Sequence, residues 1–460
     1  MQNFWDSSVW GSFMLFAVLL SSLLVANMIK KSIPYLQESL IPTSVLGGGL
    51  LLAIAGIYRV FTGDALFDSS FFGGNGSANL EILTYHTLAL GFIASAFKTS
   101  DNKLTKERTV EIFNTGVTTV ATYLLQAVVG FGITLIAAHI MEDFFSAAGV
   151  LLPFGYGQGT GQAMNYGGIY ENEYGFLGGK SFGLTIAAFG FLSASIGGVI
   201  HLNLLKKQGK VILRKADDTV LRAEEIESSN EIPMQESIDK MTVQIALIAV
   251  AYLLSYALMH LLGLLLPGMK SVIFGFNFLL GVLSATLIKT ILKVSKKATV
   301  IKKQYTNNFL MTRACNFFFD IMVVAGIAAI RIDMVEKYWG ILLILGVVGA
   351  FITYAYIRIT SNALFPAYAE EQFLAMYGML TGTASTGVIL LREIDGDFKT
   401  PAADNMVYQN FPAIVFGFPL MLLATLAPQK PILTFMILFL FFIVMNIILF
   451  RSKIFKKKTK

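Results

Sequence analysis

Apolar runs of about 18 residues or more, each long enough to cross roughly 30 Å of hydrocarbon, recur along the whole chain. A backbone inside hydrocarbon has no water to satisfy its N–H and C=O groups, so each run must satisfy its own, as a helix does. Composition agrees with that reading. The 460 residues are 55% hydrophobic and 14% charged, against about 25% charged in a soluble domain. The expected class is an all-α polytopic membrane protein.

The runs fall at 11–29, 44–61, 82–98, 113–140 and 183–205, then at 243–266, 271–293, 309–331, 338–358, 411–428 and 431–451. They predict about eleven transmembrane helices. The stretch 206–242 between the two groups mixes Lys206, Lys207, Lys210, Arg214 and Lys215 with Asp217, Asp218, Glu224, Glu225 and Glu227, and reads as a solvated cytoplasmic linker. The net charge of +6 does not signal a nucleic-acid partner, because the basic residues sit in loops between spans, where cytoplasmic exposure collects them. Residues 1–10 carry Asp6 and no basic residue, whereas Lys30 and Lys31 follow the first span. The N-terminus is therefore expected outside. Eleven crossings then put the C-terminal tail, with Lys456, Lys457 and Lys458, inside, together with Lys98, Lys103, Lys106, Arg108, Lys296, Lys297, Lys302 and Lys303. Arg331, Lys337 and Lys270 are the exceptions. The single cysteine, Cys315, lies in an apolar run and offers neither an internal disulfide nor a metal cluster.

Two segments interrupt this pattern. Gly155-Tyr-Gly-Gln-Gly-Thr-Gly161 and Thr381-Gly-Thr-Ala-Ser-Thr-Gly387 pack glycine and hydroxyl residues at membrane depth, each before the last shared helix of its half. Non-helical backbone survives at that depth only when buried in protein or lining a cavity. Parity places both ends of 145–180 outside and both ends of 366–400 inside, so both segments are expected to dip in and return, from opposite faces. The halves 1–205 and 243–428 then form an inverted repeat, with 429–460 as an extra C-terminal helix and basic tail. Paired interruptions of this kind point to the binding site of a secondary transporter.

Glycine lets backbone groups approach a ligand closely, and threonine and serine hydroxyls both donate and accept. Carbonyls and hydroxyls suit a hard cation such as Na⁺. Clustered N–H groups at a half-helix N-terminus suit a carboxylate. The competing reading is that the small residues only permit close helix packing. Matched positions in two halves favour binding. A charge on Asp320, midway along 309–331, costs about 2.5–3.5 kcal/mol at the bilayer centre. It is read as a buried cation ligand or proton-titrating coupling site, with Asn316 one turn away, or else as a structural pair or a partly interfacial acid. Arg392 either holds an anionic substrate bidentately or anchors the interface beside Glu393. His86 and His201 read as satisfied polar residues. Gly179-Lys-Ser-Phe-Gly183 matches the letters of a hydrolase elbow, but that elbow needs a strand before it, so no enzyme is expected.

Three stretches resemble the sodium/glutamate symporter family of bacteria. Ile41-Pro-Thr-Ser-Val-Leu-Gly-Gly-Gly49 is similar to that family's turn into the second helix. Gly157-Gln-Gly-Thr-Gly-Gln-Ala163, with Tyr174-Gly-Phe176, resembles its first hairpin, with Gln158 where the family has histidine. Leu380-Thr-Gly-Thr-Ala-Ser-Thr-Gly387, continuing to Arg392 and Thr400-Pro-Ala402, resembles its second hairpin, threonine-rich where the best-known members are glycine-rich.

The resemblance implies an elevator with a transport domain carrying both hairpins and a scaffold domain forming a homodimer in the bacterial inner membrane. It implies inward Na⁺-coupled transport of L-glutamate, with Na⁺ as the coupling ion and no organic cofactor. Gly159, Thr160, Gly161, Thr383, Ser385, Thr386, Gly387 and Arg392 are then the expected substrate contacts, and Gly157, Asn316, Asp320 and Thr381 the candidate Na⁺ or coupling sites. A Na⁺- or H⁺-coupled carrier of another carboxylate or amino acid is the alternative, and a cation channel or cation/proton exchanger without organic substrate is a further one.

Overall fold

A computed structural model describes residues 3–98, 105–209, 231–234, 237–299, 301–396 and 399–454. Its longer helices are α1 (Ser7–Ser32), α2 (Thr43–Thr62), α3 (Gly76–Phe97), α4 (Lys106–Ile140), α5 (Leu151–Tyr174), α6 (Gly179–Lys207), α7 (Lys240–Leu265), α8 (Asn277–Lys297), α9 (Asn308–Ala328), α10 (Trp339–Leu364), α11 (Ala369–Thr381), α12 (Ala384–Arg392), α13 (Asn410–Leu426) and α14 (Pro431–Leu449). Among the described residues the only β-pairing is an isolated bridge between Glu231 and Gln304. Ten helical spans among the described residues are long and apolar enough to cross a membrane. The chain is a multi-pass membrane protein.

The expected eleventh span, 411–428, is a 17-residue helix with Pro419 inside it. It reaches spanning length only when the short helix Ala402–Tyr408 is joined to it as a bent pair. The helix runs on through Pro419, and the interruption lies between Tyr408 and Pro412, where the pair bends by 52°, a break that an apolar count does not register. Of the linker expected at 206–242, residues 210–230, 235 and 236 lie outside the described residues, as do Lys103 and the basic tail. Of the linker's described residues, 206–209 and 237–239 are exposed. Lys240 is fully buried and pairs with Glu231 at 2.8 Å.

The backbone supports these boundaries. Thr105 caps α4 by accepting from the Arg108 N–H, and Asp239 caps α7 through Met241 and Thr242. Gly63 ends α2 in the left-handed region.

The chain divides into two compact units that cut across the sequence halves. The larger comprises Met1–Glu81, Leu104–Arg214 and Val323–Lys460, and the smaller Ile82–Lys103 and Lys215–Met322. In the smaller unit Ile93, Ala94 and Phe97 pack against Ile248, Ala251, Ala285, Met311, Ala314 and Cys315. Tyr85 donates to the Phe274 carbonyl, the Asn277 amide donates to the Tyr85 carbonyl, and His86 meets the Tyr252 hydroxyl at 2.6 Å.

The larger unit packs around α6 and the long helix α4. Close approach there rests on glycine. A Cβ on Gly149 would sit 1.9 Å from the Gly130 carbonyl oxygen, and one on Gly183 would sit 2.3 Å from that of Ala163. Gly149→Val is therefore expected to cost about 1–3 kcal/mol through overpacking, seen as a lower melting temperature in detergent. Gly340→Ala, which meets open space, should melt like the wild type.

Candidate functional site

Helix α5 is not straight. Gly159 stands inside it at φ 78, ψ −173, a region essentially reserved for glycine. Two stacked ring pairs mark the resulting reversal. Phe154 and Tyr166 lie 3.9 Å apart at 10°, and Phe145 and Phe176 lie 4.7 Å apart at 10°. Twelve residues of straight helix would separate the first pair by about 18 Å along the axis. The chain therefore doubles back at Gly159. Limb 151–158 descends along α4, with Leu152 against Gly130 and the Gly157 carbonyl accepting from the Tyr123 hydroxyl at 3.0 Å. Limb 160–174 returns along α6, Ala163 against Gly183 and Gly167 against Gly179. The returning limb is held on α13, where the hydroxyls of Tyr166 and Tyr170 donate to the carbonyls of Met421 and Ala424.

A second hairpin is built from α11 and α12, joined through Gly382 and Thr383. The limbs touch glycine to glycine, since a Cβ on Gly378 would sit 2.7 Å from the Gly387 Cα. The base of this hairpin is fixed by charge. Glu370 accepts both guanidinium arms of Arg358 on α10 and faces His201 Nε2 on α6 at 3.0 Å, while His201 Nδ1 meets the Tyr354 hydroxyl at 2.7 Å. His86 and His201 are thus satisfied polar residues, as their sequence context suggests. Arg358 and His201 lie toward the C-terminal ends of α10 and α6. The base of the first hairpin meets the opposite ends of the same helices, where Phe176 and Phe182 pack on Tyr338. The hairpins therefore enter from opposite ends of the α6–α10 pair.

Their tips converge. A Cβ on Gly190 of α6 would sit 2.5 Å from the Thr381 carbonyl oxygen and 3.3 Å from the Tyr156 Cα. One turn of α4 serves both tips. Tyr123 holds Gly157 of the first, and Gln126 Nε2 donates to the Leu380 carbonyl of the second at 3.0 Å and to Thr353 Oγ1 at 2.9 Å. Tyr156 and Tyr377 close the side of the site, bonding to the Ser193 hydroxyl and the Ser193 carbonyl respectively. Each tip presents a half-helix C-terminus (Gln158, Thr381) beside a half-helix N-terminus (Thr160, Ala384). The negative end of one dipole and the positive end of the next meet at each break, an arrangement able to hold a cation and a carboxylate side by side.

The residues singled out in the sequence divide accordingly. Gly157, Gly159, Thr160, Gly161, Thr381, Thr386 and Gly387 are buried at the tips, and Thr383 and Ser385 are only partly covered there. Thr160 packs on Gly326 of α9, and Thr381 donates to the Tyr377 carbonyl at 2.6 Å. Arg392 is exposed at the last turn of α12. Nine residues, about 13 Å of helix, separate it from Thr383, so it lies at the base rather than the tip. Asn316 and Asp320 are both exposed on α9 and belong to the smaller unit. The expected burial of Asp320 is corrected. Its mid-span position sets depth along the helix, but an apolar run does not reveal which face the protein covers.

Tyr123, Gln126 and Gly190 are residues of the site that sequence pattern alone does not single out, and Tyr156, inside the first glycine-rich segment, was given no role there. Gln126 carried a signal, an amide in the middle of an apolar span. Gly190 carried none, because its role is a contact between segments distant in the chain. No protein-family model matches the chain, and no curated protein matches it.

Proposed function

We propose that the chain is a secondary active transporter that couples Na⁺ entry to L-glutamate uptake by alternating access. The observation that carries the reading is the meeting of two hairpin tips at Gly190, each a helix break with both dipole signs and a set of buried hydroxyls and glycines. Irregular backbone at membrane depth is tolerated where it lines a binding cavity, and paired half-helices at the midplane suit an anionic substrate and its coupling ion. In this reading the N–H groups opening at Thr160 and Ala384, with Thr383, Ser385 and Thr386, hold the substrate carboxylates. The carbonyl ends at Gly157 and Thr381 hold Na⁺. Both hairpins fall in one compact unit, which supports treating that unit as the part that moves in an elevator with an inverted repeat. The choice of glutamate comes from the resemblance of the two tip motifs. The protein is then a homodimer of the bacterial inner membrane, N-terminus outside and C-terminus cytoplasmic, and inward Na⁺ flow drives an anion against an inside-negative potential.

Purified protein in liposomes should accumulate glutamate when an inward Na⁺ gradient is imposed. Replacing external Na⁺ by K⁺ at neutral pH should remove the accumulation. Uptake that is the same in both salts would sink the proposal.

A further inference from the structure

Gln126 on α4 is fully buried, and its side-chain oxygen has no hydrogen-bond partner. The amide cannot turn over to cure this. Its nitrogen donates to the Leu380 carbonyl and to Thr353 Oγ1, and a flip would set oxygen against the carbonyl oxygen of Leu380, which can only accept. The orphaned oxygen is thus held in place at the C-terminal end of α11. Helix ends of this kind leave their last carbonyls without intrahelical donors and carry the negative end of the dipole. Thr381, the last residue of α11, carries two further oxygens at the same helix end. Its carbonyl lies against Gly190, and its buried hydroxyl spends its proton on Tyr377, which leaves its lone pairs to accept. No group of three or more His, Cys, Asp or Glu able to hold a metal ion occurs among the described residues. What gathers here is hard and neutral oxygen, which suits a monovalent cation rather than a transition metal.

We infer that Gln126 Oε1 is a ligand for Na⁺ at the end of α11, together with oxygens of Thr381. This deepens the proposed function by locating its coupling ion on a residue of α4, outside both hairpins. Gln126 also ties the second tip to α4 through its nitrogen, so cation occupancy and the position of that tip are linked through one side chain.

The test measures melting of the purified protein in detergent, without glutamate, against NaCl, KCl and choline chloride at equal ionic strength. Wild type should be stabilised by Na⁺ over choline in a saturable way. In Gln126→Leu the half-maximal Na⁺ concentration should rise by at least about tenfold. Gln126→Glu keeps an oxygen and adds charge, so its half-maximal concentration should stay at or below the wild-type value. A merely structural role for Gln126 would impair both variants alike, and that result would overturn the inference. So would Na⁺ stabilisation that Gln126→Leu leaves intact, or wild-type melting that is the same in Na⁺ and choline, as expected if water occupies the place beside Oε1. Should Gln126→Leu fail to fold, Gln126→Glu decides alone, and its loss of the Na⁺ response counts against the inference. Because glutamate is absent throughout, a chain that binds Na⁺ through Gln126 but carries no glutamate would defeat the substrate reading and leave this one standing.

Discussion

A Gly190→Val protein should fold and insert, yet lose Na⁺-driven uptake by about 10²-fold, the scale expected when groups that act on a ligand are displaced by about 1 Å. The added side chain has nowhere to go. Its Cβ alone would come within 2.5 Å of the Thr381 carbonyl oxygen and 3.3 Å of the Tyr156 Cα, both main-chain atoms. One tip or the other must retreat from α6. Overpacking of this kind costs about 1–3 kcal/mol, which a multi-span protein can bear, whereas a site shared by two tips loses its geometry. Initial uptake rates in liposomes at matched protein density check it, with Gly340→Ala as the control. Near-wild-type uptake by Gly190→Val would mean that convergence of the tips has no part in transport.

Gly159→Ala is the second substitution expected to have a large effect, and it acts through the backbone rather than through space. At φ 78 and ψ −173 a residue with a Cβ is strained by about 1–3 kcal/mol. The first hairpin reverses at this residue, so relief of the strain moves Thr160 and Gly161. Uptake should fall by about 10²-fold, with a lower melting temperature. Gly175 is the comparison. It also has positive φ, but at φ 73 and ψ 18 it lies in the left-handed region that asparagine tolerates, and nothing lies within 4 Å of a Cβ there. Gly175→Asn should transport normally. Equal behaviour of the two variants would place the sensitivity in glycine loss as such, not in the turn at Gly159.

Much of the architecture was legible because hydrophobic length is a local property. Ten spans and the two interruptions follow from runs of apolar residues and from glycine clusters that a helix does not use. Even so, a break between Tyr408 and Pro412 leaves one expected span as a 17-residue helix, and Lys240 is buried against Glu231 within a stretch that its charge marked as solvated. The tip residues were found for the same local reason, since Gly157–Gly161 and Thr381–Gly387 are contiguous in sequence. Arg392 and Asp320 were placed less well. One sits a full helix length from its tip, and the other shows an exposed face, because depth in a span says nothing about which neighbour a face meets.

Taken by itself, the chain determined that its backbone must satisfy its own hydrogen bonds in hydrocarbon, and where that rule is broken. Periodicity and composition carry that information residue by residue. Only the tertiary structure decided what the breaks do. Gly190 receives two tips from opposite ends, and α4 grips both through Tyr123 and Gln126. Those are contacts across 34 residues in one case and 254 in the other, and no local pattern encodes them. The orphaned oxygen of Gln126 exists for the same reason: an amide is ordinary in sequence and becomes a ligand candidate only when the fold consumes its nitrogen and leaves its oxygen buried.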